Sequence, residues 1–188
     1  MASETLHTLT DDILKLVVSW RERHATLHAH GRLDRLFQRL QAHPPVSNAY
    51  EIEDEIWEIW IGGSGGPGTQ IMNDAIAAMA QKQYAAAEQR LDRLIAAQPD
   101  WAEAWNKRAT LYFLQGRDCE SLSDVRRTLE LEPRHFGAMA GFAHICVRNG
   151  DYRSAIIAME AALQINPHLH ALKAVLQSMH DDRKGAIH

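Results

Sequence analysis

Cysteine is scarce in this chain. Only Cys119 and Cys146 occur among 188 residues. They are too few and too far apart for a disulfide framework, a redox pair or a zinc knuckle, and a reduced compartment suits them. Long apolar runs are also missing. The longest uncharged apolar stretch is a few residues, well short of the ~20 that a membrane-spanning helix needs. Net charge is small, at −4, which supplies no clustered positive field for a nucleic-acid backbone. The opening MASETLHTLTDDILKLVVSW lacks the basic start and long apolar centre of a secretory signal, because Glu4, Asp11, Asp12 and Lys15 interrupt it. Together these absences predict a cytoplasmic protein that meets neither membrane nor nucleic acid. What is present is 46% apolar residues, enough for one domain that buries roughly 70% of its unfolded surface.

Prolines are few, yet Pro99, Pro133 and Pro167 follow one another at intervals of 34. Other columns agree at the same offset. Ala75, Ala109 and Ala143 align, as do the small residues Ala87, Ser121 and Ala155. Leu91, Val125 and Met159 form an apolar column, and so do Ile95, Leu129 and Leu163. Gly116 and Gly150 share a position that Lys82 occupies in the first copy. Within each unit the apolar residues recur at helical spacing, so a unit is two helices. Glycine stops the first helix and proline the second. The small column lets the paired helices approach closely, where a large side chain would overpack them.

Trp105, Ala109, Tyr112, Ala87, Ala155 and the three spaced prolines resemble the tetratricopeptide repeat. The strings WAEAWNKRATLYFLQG (101–116) and RRTLELEPRHFGAM (126–139) are further similar to a bacterial group of that family with plastid relatives. Asp74 and Arg108 depart from the family by replacing a leucine, and Ser121 and Thr128 replace alanines. The resemblance implies an all-α solenoid, a right-handed superhelix of helical hairpins with capping helices at both ends. The divisions expected are an N-terminal amphipathic helix over 1–30, a degenerate hairpin repeat over 31–61, a glycine-rich joint over 62–67, repeats over 68–101, 102–135 and 136–169, and a C-terminal capping helix and tail over 170–188. The degenerate unit rests on an offset of 38, which aligns Leu33 with Ile71 and Ala49 with Ala87. Upstream, Leu6, Leu9, Ile13, Leu16, Trp20 and Leu27 share one face, predicting a helix from about Thr10 to Ala29 with Thr10 as its N-cap.

The stretch IWIGGSGGPGTQ contains both G-x-G-x-x-G and G-x-S-x-G. The first reads as a dinucleotide fingerprint and the second as a hydrolase nucleophile elbow centred on Ser64, and each needs a strand before it. Ile52, Ile56, Ile59 and Trp60 recur at helical spacing instead. Pro67 also removes an amide that a phosphate would use. The stretch is therefore read as a flexible joint, and no catalytic residue or cofactor is assigned.

Eleven histidines, including His24, His28, His30, His168 and His170, raise a metal-binding alternative, but no zinc motif accompanies them and no metal ligand is assigned. Glu51, Glu53, Asp54, Glu55 and Glu58 crowd one helix. A solvated face is the default for them, and a surface for a basic partner is the alternative. Arg126 and Arg127 read as solvated, and Arg134 and His135 as fixing an inter-repeat turn. A further alternative is self-association as a two-fold dimer through partly exposed Trp20, Trp57 and Trp60.

The resemblance places first helices on the concave side. It thereby implies a non-catalytic interaction scaffold that holds a protein or peptide segment, with Asn73, Ile76, Met79, Asn106, Lys107, Thr110, Phe113, His144 and Arg148 as contacts. Gly141 and Ala140 leave room for close approach. The two-carboxylate clamp of some family members is not expected, because Met72, Ile76, Gly137 and Gly141 occupy its positions and Lys107 stands where an asparagine is wanted. The N-terminal helix is a candidate to cover the groove in cis.

Overall fold

The computed structural model describes residues 2–27, 31–42, 44–63 and 66–185, with side chains for 4–23, 31–42, 44–63 and 66–181. Every regular element among them is a helix. The repeats supply α5 (Pro67–Ala80) with α6 (Tyr84–Ala97), α7 (Ala102–Leu114) with α8 (Asp118–Leu131), and α9 (Phe136–Arg148) with α10 (Tyr152–Ile165). Each pair closes through a left-handed turn residue: Lys82 at φ 59°, Gly116 at 73° and Gly150 at 78°. Pro99, Pro133 and Pro167 fall just past the ends of α6, α8 and α10. Ala87, Ser121 and Ala155 are buried where the two helices of a pair meet. Ser121 is accommodated because its hydroxyl donates to the Ala109 carbonyl at 2.7 Å. The departure at Arg108 is also explained. Its guanidinium grips Asp124 at 2.7 and 2.9 Å and reaches Asp92 at 2.8 Å, tying α7 to α8 and α6.

The first third of the chain does something the period does not announce. It forms α1 (Ala2–Val18), α2 (Trp20–Leu27), α3 (Arg32–Gln41) and α4 (Val46–Gly62), and these wrap the repeats. α1 packs on α8 and α10, the second helices of their pairs, burying Ile13, Val17 and, with α2, Trp20. It therefore lies on the outer side and does not cover the groove. The helix also begins well before Thr10. That residue is buried in mid-helix with its hydroxyl on the Leu6 carbonyl, so it is not a cap. In α2, Arg23 donates to the carbonyls of Leu129 and Glu130 at 2.9 and 3.1 Å, closing the end of α8.

α3 lies along the edge where one repeat turns into the next. Phe37 packs against Trp60 and Phe136, Asp34 pairs with Arg134 at 2.6 Å, and Gln41 donates to the Gln164 carbonyl. α4 then runs along the inner side of the stack. α3 and α4 pack on each other, and α4 lies across the first helices of later repeats. At the glycine stretch, helix α4 precedes and helix α5 follows. Ser64 and Gly65 lie outside the described residues. The joint is tied down at both described flanks. Trp101 donates from Nε1 to the Trp60 carbonyl at 2.7 Å, Thr69 donates to the Gly62 carbonyl at 2.8 Å, and the Trp101 ring sits against Gly63 and Gly68.

α11 (His170–Gly185) closes the far end against α10, with Leu172 buried. No helix is long and apolar enough to cross a membrane among the described residues.

Candidate functional site

The inner side of the stack is formed by α5, α7 and α9, and α4 divides it. The dividing contact is built on Glu103, in the first turn of α7, which is completely buried. Its carboxylate receives Asn106 Nδ2 at 2.9 Å, His135 Nε2 at 2.8 Å and Lys107 Nζ at 2.9 Å. Burial opposes ionisation of Glu103, but the hydrogen bond from His135 and the charge and hydrogen bond of Lys107 outweigh it and hold its carboxyl below the usual range. His135 Nδ1 accepts from the Ala138 amide at 3.1 Å, capping α9. Its Nε2 is then the protonated nitrogen and donates to Glu103. The Trp60 ring stacks on the His135 imidazole at 4.1 Å. Trp57 stands over Gly137, and Lys107 lies over the Trp57 ring at 5.2 Å.

This arrangement corrects part of the expected groove. Asn106 is buried and its side-chain amide is engaged by Glu103. Lys107 is consumed by the same carboxylate and by Trp57. Neither stands free at the edge of an open floor. Trp20 and Trp60 are buried, and Trp57 is partly buried, so the tryptophans do not form the exposed dimer surface considered from the sequence. Arg134 and His135 do fix the turn between repeats, both of them buried.

The remaining predicted contacts lie beyond α4. Asn73, Thr110, His144 and Arg148 are exposed, and Ile76, Met79 and Phe113 are partly buried. Phe113 is roofed by the Arg148 guanidinium at 3.9 Å, which also donates to the Phe113 carbonyl and pairs with Asp118. Leu114 beside it is 51% exposed. A side chain added at Gly141 would meet nothing within 4 Å, so the inner face of α9 is open there. His144 faces a cavity of about 430 Å³ shared with Tyr50 of α4 and His168, His170 and Val175 at the α11 end.

No three His, Cys, Asp or Glu side chains converge as a metal site among the described residues. The side chain of His24, and His28 and His30 entirely, lie outside that set. Cys146 is buried, and burial, aided by Asp151, pushes its thiol up to about 12. It is therefore a poor nucleophile. The Glu103–His135 pair and the Trp57–Gly137 contact are the features sequence reasoning missed. The available signal was the coincidence of two tryptophans one turn apart with a glycine at the start of a later first helix.

Antiparallel helix pairs stacked with a lined inner face define a helical-hairpin repeat scaffold. The tetratricopeptide repeat model matches residues 73–123. A TPR repeat-containing protein of Rhizobium etli is 38% identical over 146 residues, covering 78% of this chain and 72% of that protein. The chain belongs to the tetratricopeptide-repeat family.

Proposed function

We propose that this protein is a non-catalytic scaffold, acting in the cytoplasm, that holds a protein or peptide segment in the part of the concave groove α4 leaves open. Repeats of this family generally serve protein–protein interaction, and the inner surface here is suited to it. The observation that carries the reading is the uncovered strip beyond α4. Partly buried Phe113 is followed by exposed Leu114, Met79 is partly buried at the matching column of the first repeat, and Asn73, Thr110, His144 and Arg148 are exposed. Exposed apolar surface rimmed by polar groups is characteristic of interaction sites. Asn106 and Lys107 enter only as the foundation of the groove wall.

The test is affinity capture from the source cell with the full chain, compared with Thr110→Arg combined with Leu114→Asp. Both positions are exposed, so the variant keeps its thermal transition. A partner retained by the wild type and lost by the variant supports the groove. Equal capture by both removes it. Lys107→Glu is unsuitable as a probe, because it would set a second carboxylate against buried Glu103.

A further inference from the structure

The cavity between α4, α9 and α11 has the makings of an anchor. Its volume is about 430 Å³, and Ala140, Leu169, Ala171 and Leu172 contribute apolar lining. Its lips are two exposed large side chains, Tyr50 at 51% and Val175 at 38%. One polar group is left over inside. Nε2 of His168 is shielded from solvent and has no hydrogen-bond partner among the described residues. The imidazole is positioned through a chain in which Asn166 donates to Glu53 at 2.9 Å and the His168 amide donates to Asn166 Oδ1 at 3.0 Å. A buried nitrogen without a partner is costly.

The α4 wall of this cavity carries charge of one sign. Glu51, Asp54 and Glu58 on the outer face of α4 are exposed, and no cation pairs with them among the described residues. Glu55, by contrast, is engaged by Arg32 and Arg39. Lys107 is neutralised by Glu103 and Arg148 by Asp118, and exposed Lys173 stands on the α11 side between Leu172 and Val175. An unneutralised acidic ridge favours and steers a partner of opposite charge.

We propose that this cavity anchors one apolar side chain of a basic protein segment, whose Lys or Arg residues lie along Glu51, Asp54 and Glu58. The proposal rests on the groove reading above and names the chemistry of its partner. An apolar anchor in a desolvated pocket supplies most of the affinity, while the charges set orientation and on-rate.

The experiment is fluorescence anisotropy with the full chain and three labelled synthetic peptides. The first carries one central leucine flanked by lysines. The second has glutamates in place of the lysines, and the third has glycine in place of the leucine. The lysine–leucine peptide is expected to bind, the glutamate peptide not to bind, and the glycine peptide to bind about tenfold more weakly, as loss of an anchor implies. Tyr50→Ala with Ala171→Phe should cost about the same factor. Glu51→Gln, Asp54→Asn and Glu58→Gln together should weaken binding and flatten its salt dependence. Circular dichroism checks that these exposed substitutions leave the fold intact, and Val175→Ser serves as a second pocket variant.

The proposal is overturned if the lysine–leucine peptide fails to bind, binds no better than the glutamate peptide, or is indifferent to both variant sets. If a cellular partner needs Thr110 and Leu114 yet ignores Tyr50 and the acidic ridge, the groove reading survives and this proposal alone falls.

Discussion

Lys82 has φ at 59°, alone among the described non-glycine residues in the left-handed region. It stands at the turn that glycine fills in the two later repeats. A left-handed residue with a Cβ costs about 1 kcal/mol or more, so Lys82→Gly is expected to stabilise the protein by about 1 kcal/mol in chemical denaturation. A loss of stability would mean that the first turn is closed some other way.

Glu103 carries a second prediction. Its carboxyl is held below its ordinary value by His135 and Lys107 in spite of burial. A carboxylate with a depressed folded pKa adds stability above its unfolded value of about 4.3 and loses it as pH falls through the folded value. The stability advantage of wild type over Glu103→Gln should therefore be steady near neutrality and shrink below about pH 4. Glu103→Ala, which strands His135 and Lys107, is expected to cost about 3 kcal/mol. A wild-type advantage independent of pH would contradict the ionised, paired state. Nothing in the pattern marks Glu103 as buried. An acid in a first helical turn ordinarily reads as exposed, and so Asn106 and Lys107 beside it read as free groove contacts.

The decisive element is α4. Gly137 accommodates Trp57 so closely that an added Cβ would stand 2.6 Å from the ring. Gly137→Ala should destabilise the protein by about 1–3 kcal/mol through overpacking. Trp57→Ala in the same chain should recover part of that loss, a coupling that a double-mutant cycle measures directly. Additive effects would place α4 elsewhere. That α4 is a helix was legible in Ile52, Ile56 and Trp60, and its docking surface was not. Periodicity reveals which face is apolar, and is silent on which neighbour buries it. The offset that aligned Leu33 with Ile71 therefore suggested another stacked unit, while Trp57, Trp60 and Phe37 in fact meet His135, Gly137 and Phe136. The repeat helices were legible because each depends on its near neighbours, through turns, prolines and small residues that recur in the chain.

At the scale of the whole molecule, α1 to α4 embrace the repeats, with α1 outside, α3 at the edge and α4 within. The inner side of the repeats is thereby narrowed by the chain itself. Exposed Thr110, His144 and Arg148 followed from repeat columns that place them on the inner face. The anchor cavity did not, because Tyr50 and Val175 are brought together only by the long-range docking of α4 and α11. Amide hydrogen exchange on the full chain tests the embrace most directly. The amides of Ile52, Ile56 and Trp60 should be protected as strongly as those of Phe142 and Ala143 in α9, and should open together with them. Rapid exchange along α4 while α5 to α10 stay protected would show that the inner side of the repeats is empty.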